Sequence, residues 1–175
     1  MTTRILTLTQ VNALDRPGFV AALVHLFEGP PWIVEAAWEA RPFAMLEDMH
    51  TALVAVMYAA PVERQVALIQ AHPDLVGRAA LAGTLTPAST GEQAAAGLGQ
   101  LTSDEIATFT RLNAAYRERF GFPFVICARE NKKESILAGF AQRMTHTRDE
   151  EIATALGEIA KICRLRLLDT VHTDD

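Results

Sequence analysis

Apolar residues return at helical spacing through most of this chain, and that period admits one kind of scaffold. Phe19, Val20, Leu23, Leu26 and Phe27 form one such stripe; Phe43, Leu46, Met49, Leu53, Val56 and Met57 form another. Ile106, Phe109, Leu112, Ala115 and Tyr116 repeat the pattern, as do Ile152, Leu156, Ile159, Ile162 and Cys163. Pro17, Gly29-Pro30-Pro31, Arg41-Pro42, Pro61 and Gly121 fall where such helices start or stop. Thr102 with Glu105, and Thr147 with Glu150, have the spacing of reciprocal N-terminal caps. The spacing predicts helices over 15–27, 32–41, 43–59, 61–72, 101–120, 132–144 and 147–169, with shorter pieces between 74 and 101, where glycines interrupt the period. The fold class is therefore all-α, a single domain over 1–175 with about eight to nine helices. Residues 122–128 are too short and too evenly apolar to assign by period; they read as a buried strand or as an extended linker crossing the core.

Half of the 175 residues are hydrophobic, enough for one full core and against disorder. Lys and Arg total 16 against 21 Asp and Glu, for a net charge of -5 with no run of like charge. That balance argues against nucleic acid or a membrane surface as partner and leaves small molecules or proteins. No stretch approaches a membrane span, the first residues lack the apolar core of a leader, and His172-Thr173-Asp174-Asp175 is no organelle address. Cys127 and Cys163 stand far apart in apolar surroundings and read as buried free thiols, which suits a reducing compartment. The expected location is the cytoplasm.

The stretch with the most chemical content is Ala71-His72-Pro73-Asp74-Leu75. A residue before proline is driven out of the α region, so His72 marks the end of its helix and its imidazole is offered to a loop or cleft. A histidine so placed also serves as a plain helix cap, and Asp74 reads equally as an N-cap for the next piece. Ser89-Thr90-Gly91-Glu92-Gln93 carries two readings as well. Ser89 and Glu92 have capping-box spacing, yet a helix N-terminus there also presents N–H groups to an anion, and the Gln93 amide both donates and accepts, as a ureido or imide group requires. Phe124, Val125, Ile126, Cys127 and Ala128 are core by composition; in an extended crossing of a site, their backbone would be the useful part. Arg129 just beyond them is a surface or ion-pair residue or a carboxylate clamp. The scattered histidines make no metal-ligand set, and no phosphate loop, nucleotide fingerprint or nucleophile elbow is present.

Taken together, His72-Pro73-Asp74-Leu75 with Gly77-Arg78, Leu85-Thr86, Ser89-x-x-Glu92-Gln93 with Ala96-Gly97-Leu98, Leu112-Asn113-x-x-Tyr116 and Phe120-Gly121-Phe122-Pro123-Phe124 resemble the OHCU decarboxylase family. Its members act on 2-oxo-4-hydroxy-4-carboxy-5-ureidoimidazoline, the last intermediate of urate breakdown. The resemblance implies an all-helical homodimer that needs no cofactor or metal and forms (S)-allantoin. It implies His72 as the catalytic acid/base with Glu92 paired to its imidazole. Pro73, Ser89, Thr90, Gly91, Gln93 and the backbone of Phe124 to Ala128 would line the substrate, a ureidoimidazoline carboxylate, and Arg129 could orient its carboxylate. Ala88 stands where the family pattern leads one to expect an acid, and the chain lacks a peroxisomal tail. A His-Pro-Asp tripeptide between helices also occurs in J-domain co-chaperones, but those carry a basic helix before it, whereas Val62 to Gln70 holds one acid and one base.

Overall fold

Several helix starts in this chain are fixed by side chains that give the first free N–H groups a partner. The computed structural model describes residues 5–174; Met1 to Arg4, which enter the leader argument, and Asp175 lie outside the described residues. Asp15 accepts from the Gly18 N–H at 2.9 Å and opens α2, Arg16–Leu23. Thr7 and Gln10 cap one another at the start of α1, Leu8–Ala13, a helix too short to register in the apolar period. The helices α3, Trp32–Ala37, and α4, Leu46–Ala59, follow, and α5, Val62–Gln70, starts just after Pro61. The all-α reading holds. Two-residue strands β1, Leu6–Thr7, and β2, Val171–His172, pair in parallel, with Leu6 opposite Val171, and are the feature that the sequence period does not announce.

The chain gathers into two compact units, and the division falls within α5 and within the long last helix α10, Arg148–Thr170. The first takes the residues up to Gln65 together with those from Ala160 on. Phe19, Leu23, Leu26, Ile33, Met49, Leu53, Met57, Cys163 and Val171 are buried in it. Arg41 donates to the carbonyls of Asn12 and Leu14, while its guanidinium lies 4.1 Å from the Trp38 ring, so one cation satisfies a turn's backbone and covers an indole.

The second unit, Val66–Ile159, holds α6, Arg78–Leu81; α7, Pro87–Ala95; α8, Ser103–Phe120; α9, Lys133–Arg143; and the first half of α10, Arg148–Thr170. Thr102 and Glu105 cap α8 reciprocally, and Gly121 ends it in the left-handed conformation with φ 81°, which costs glycine nothing. Thr147 and Glu150 cap α10 in the same reciprocal way. Residues 122–127 form no ladder: they are the extended linker of the two alternatives, with Phe122, Phe124, Val125 and Cys127 buried.

Aromatic rings fill the space around that linker. Tyr116 meets Phe120, Phe122, Phe124 and Phe140, and Phe124 stacks on Phe140 with centroids 3.8 Å apart. Inside this apolar cluster sits a charged group. The fully buried Glu151 carboxylate accepts from the Tyr116 hydroxyl and from Arg143 Nε on one oxygen, and His146 Nδ1 lies 2.9 Å from the other. Burial, then the hydrogen bond to Glu151, raises the Tyr116 phenol far above its ordinary range, so it remains a donor at any working pH.

Removing one member of a buried ion pair leaves the other uncompensated. Glu151→Ala is expected to cost about 3–5 kcal/mol, and Tyr116→Phe, which removes one hydrogen bond to a charge, about 1.5–3 kcal/mol. Urea unfolding of the two variants checks the order; a smaller loss for Glu151→Ala would show that the carboxylate does not hold this cluster.

Candidate functional site

The end of α5 and the loop after it carry His72. Its N–H donates to the Ile69 carbonyl at 3.1 Å, which closes the helix, and Pro73 turns the chain away. The His72 side chain is buried, 7% exposed, in the second unit. The loop that follows has no regular structure to satisfy its backbone, and side chains of two helices do so instead. Gln93 on α7 accepts from the Val76 N–H at 3.1 Å through its amide oxygen and donates to the Asp74 carbonyl at 3.4 Å. Asn113 on α8 donates to the Leu75 carbonyl at 2.8 Å. Arg117, one turn further, bonds both oxygens of Asp74 at 2.9 and 3.2 Å. Asp74 is thus an ion-pair partner and Gly77 caps α6, with no side-chain hydrogen bond.

This pinning sets the loop in an unusual shape. Val76 has φ 52°, a left-handed conformation that disfavours a β-branched residue, and its side chain is buried. A Cβ at Gly77 would lie 2.6 Å from the Asp74 Cβ, so only glycine fits against the turn there.

Helix α7 starts earlier than the Ser89 capping box suggests. Thr86 is the N-cap, accepting from the Ser89 N–H at 3.2 Å, and Pro87 takes the first helical position, where its missing N–H is harmless. Ser89 and Gln93 are buried on one face, Glu92 is half-buried beside them, and Thr90 and Gly91 are exposed. Thr90 bonds back to the Thr86 carbonyl. It lines a cavity of about 370 Å³ with Val76, Gln93, Leu98 and Ile106, and a second, of about 750 Å³, opens beside Asp74, Gly77, Asn113 and Arg117; His72 and Glu92 line neither of these two.

The turn Ala128–Glu130 packs against α7, and Lys132 Nζ donates to the Ala95 carbonyl. Burial first, and then the charges of Glu130, Glu158 and Glu92, push the Cys127 thiol up to about 11. Phe124, Val125, Cys127 and Ala128 are buried, Ile126 is half-buried and Arg129 is exposed. Some of the linker's backbone is already engaged. The Val125 carbonyl accepts from Arg143 at 2.6 Å, Cys127 N–H donates to Glu158 at 3.3 Å, and the Cys127 carbonyl accepts from the Asn131 amide at 2.9 Å.

The structure thus brings Gln93 onto the loop after His72 and the turn at the linker's end onto α7; Ser89 and Glu92 lie on that helix, buried and half-buried, while Thr90, Gly91 and Arg129 are exposed. Sequence reasoning gave no role to Asn113, Arg117, Arg143 or Glu151. Asn113 had a signal, a polar residue inside the buried stripe Phe109, Asn113, Tyr116 and Phe120; Arg143 and Glu151 had none. Among the described residues no group of three or more His, Cys, Asp or Glu is placed to hold a metal ion, and no single helix is long and apolar enough to cross a membrane.

A buried histidine at a helix end, polar side chains on one short helix and a clamped stretch of extended backbone fall within one helical unit. Residues 12–168 match the model of the OHCU decarboxylase family, and the chain belongs to that family. It is 43% identical over 163 residues to the 2-oxo-4-hydroxy-4-carboxy-5-ureidoimidazoline decarboxylase of Amia calva, covering 93% of each chain. It is 41% identical to the Haloferax volcanii protein of the same name, over 97% of this chain and 98% of that one. A crystal structure of (S)-allantoin synthase superposes with a TM-score of 0.78 at 25% identity, over 97% of this chain and 55% of the other.

Two substitutions test the pinned loop. Gln93→Leu orphans the buried Val76 N–H and is expected to cost about 1–3 kcal/mol, with faster hydrogen exchange at Val76 than in wild type; unchanged exchange there would remove Gln93 as the staple. Gly77→Ala is expected to cost about 1–3 kcal/mol through overpacking against Asp74, read as a lower melting temperature, and an unchanged value would show that the turn yields.

Proposed function

We propose that this protein catalyses the cofactor-independent decarboxylation of 2-oxo-4-hydroxy-4-carboxy-5-ureidoimidazoline to (S)-allantoin in urate breakdown, with His72 as the acid/base and Glu92 as its carboxylate partner. The observation that carries the reading is the meeting of three separate stretches, residues 72–76, α7 and the linker, in one unit of a chain whose family match runs from 12 to 168. That match crosses both units and supports treating the whole chain as one functional domain.

The substrate makes the residues intelligible. Its carboxylate leaves from a carbon that also bears a hydroxyl and adjoins a ring C=N. As carbon dioxide departs, the bonding pair moves into that imine, so the substrate supplies its own electron sink. An enol remains, and a proton delivered to one face of the ureido-bearing carbon sets the configuration of allantoin. His72 moves this proton, and Glu92 fixes the tautomer of the imidazole. Ser89, Gln93, Pro73 and the backbone of Phe124 to Ala128 line the substrate, with Thr90, Gly91 and Arg129 at its margin, where Arg129 orients the carboxylate. Homodimeric assembly and a cytoplasmic location complete the reading, supported by the family resemblance and by the buried thiols.

The test generates the unstable substrate from urate and follows circular dichroism. Wild type is expected to give one enantiomer of allantoin rapidly. His72→Ala should lose about 10²–10⁴-fold in rate and fall toward the spontaneous racemic decay, and Glu92→Ala should lose less, with both variants folded. A wild-type protein that adds nothing to spontaneous decay would refute the decarboxylase reading.

A further inference from the structure

The charged cluster around Glu151 is an unexpected occupant of an aromatic core. A buried ion pair contributes little stability over apolar side chains of the same volume, so stability alone gives no reason for it. Its geometry gives one. Arg143 donates Nε to Glu151, lays its guanidinium 4.2 Å from the Phe124 ring, and directs its remaining fork at the carbonyl of Val125, 2.6 Å away. Both ends of this arginine's reach are therefore fixed, one by a carboxylate with no exposure and one by the linker's main chain.

The peptide plane carries the consequence onward. In a trans peptide the C=O and the following N–H point in opposite directions. With the Val125 carbonyl held by Arg143, the Ile126 N–H is turned away from Arg143. The next peptide is held in the same manner: Cys127 N–H donates to Glu158 at 3.3 Å, which turns the Ile126 carbonyl away from Glu158. The linker is extended here: residues 123–127 form no helix, turn or bend, Cys127 has φ −70° and ψ 92°, and Phe124 and Ile126, two residues apart, both reach Gly139, as the alternation of an extended chain requires. In extended backbone a residue's own N–H and C=O point to the same side. Ile126 thus offers a donor and an acceptor together on one edge, and their direction is set by Arg143 and Glu158 from the other.

We propose that Arg143, oriented by Glu151 and Tyr116, is a positioning residue that holds the main chain of Ile126 as a donor and acceptor pair for the ureido group of the substrate. A ureido group carries N–H beside C=O and meets both at once. The inference rests on the decarboxylase reading above. Arg143 touches no reacting atom; it sets the plane in which the substrate is gripped and so the ring face offered for protonation.

The test compares wild type with the double variant Arg143→Met/Glu151→Leu, which replaces the buried pair with apolar volume, and with Arg143→Lys, which retains a donor for Val125. Rates and product chirality are read by circular dichroism after subtraction of the spontaneous reaction. The double variant is expected to lose about 10²-fold in kcat/KM, with a raised KM and lower enantiomeric purity, and Arg143→Lys to recover part of each. A merely structural role would lower the active fraction and leave KM and chirality unmoved. A folded double variant with wild-type kcat/KM and chirality overturns the proposal while leaving the decarboxylase reading intact. Wild type alone gives a check that needs no variant: the Ile126 amide resonance is expected to shift on titration with (S)-allantoin, and an unmoved resonance overturns the proposal. Absence of any catalysis by wild type is a different result, and removes the reading on which the proposal stands.

Discussion

Buried backbone that belongs to no helix or strand must still find hydrogen-bond partners, and the second unit is organised around that constraint. The loop from His72 to Gly77 and the linker from Phe122 to Cys127 are both irregular and largely buried. Helices α7 to α10 satisfy them with long side chains: Gln93 and Asn113 for the loop, Arg143 and Glu158 for the linker. Each bond fixes a peptide plane as well as removing an orphan group. The outcome is irregular chain whose peptide planes are set by side chains and not by a partner strand.

The same economy explains which polar residues lie inside. Gln93, Asn113, Arg143 and Glu151 are buried, with His72 and Ser89, in a unit whose core is largely aromatic and aliphatic. A neutral amide suits the loop, where one N–H and two carbonyls need answers; a charged fork suits the linker, where one carbonyl must be held against an aromatic wall. Neither exchange is conservative, because amide and guanidinium differ in which roles they offer.

Much of this was legible in the sequence, and for local reasons. Helix period and caps are encoded within a few residues, so α2, α4, α8 and α10 stood out, as did the end of α5 at His72-Pro73. The start of α7 was misplaced because Ser89 and Glu92 imitate a capping box, although Thr86-Pro87 is the stronger start signal. What was not legible depends on residues far apart in the chain. Nothing in the order of residues announces that Arg143 reaches Val125, that Arg117 holds Asp74, or that Leu6 pairs with Val171. The three stretches of the candidate site stand out by residue type, and the resemblance gives them roles; the side chains that hold them in place, Asn113 apart, show only in the geometry.

The pairing of β1 with β2 has a consequence for how such a fold is joined to others. Leu6 lies opposite Val171, and Asp174 accepts from both the N–H and the hydroxyl of Thr9, at 2.9 and 2.8 Å, so the described chain leaves the first unit almost where it enters. A module with adjacent entry and exit can be set into a longer polypeptide as a side branch, without stretching its neighbours or threading through them.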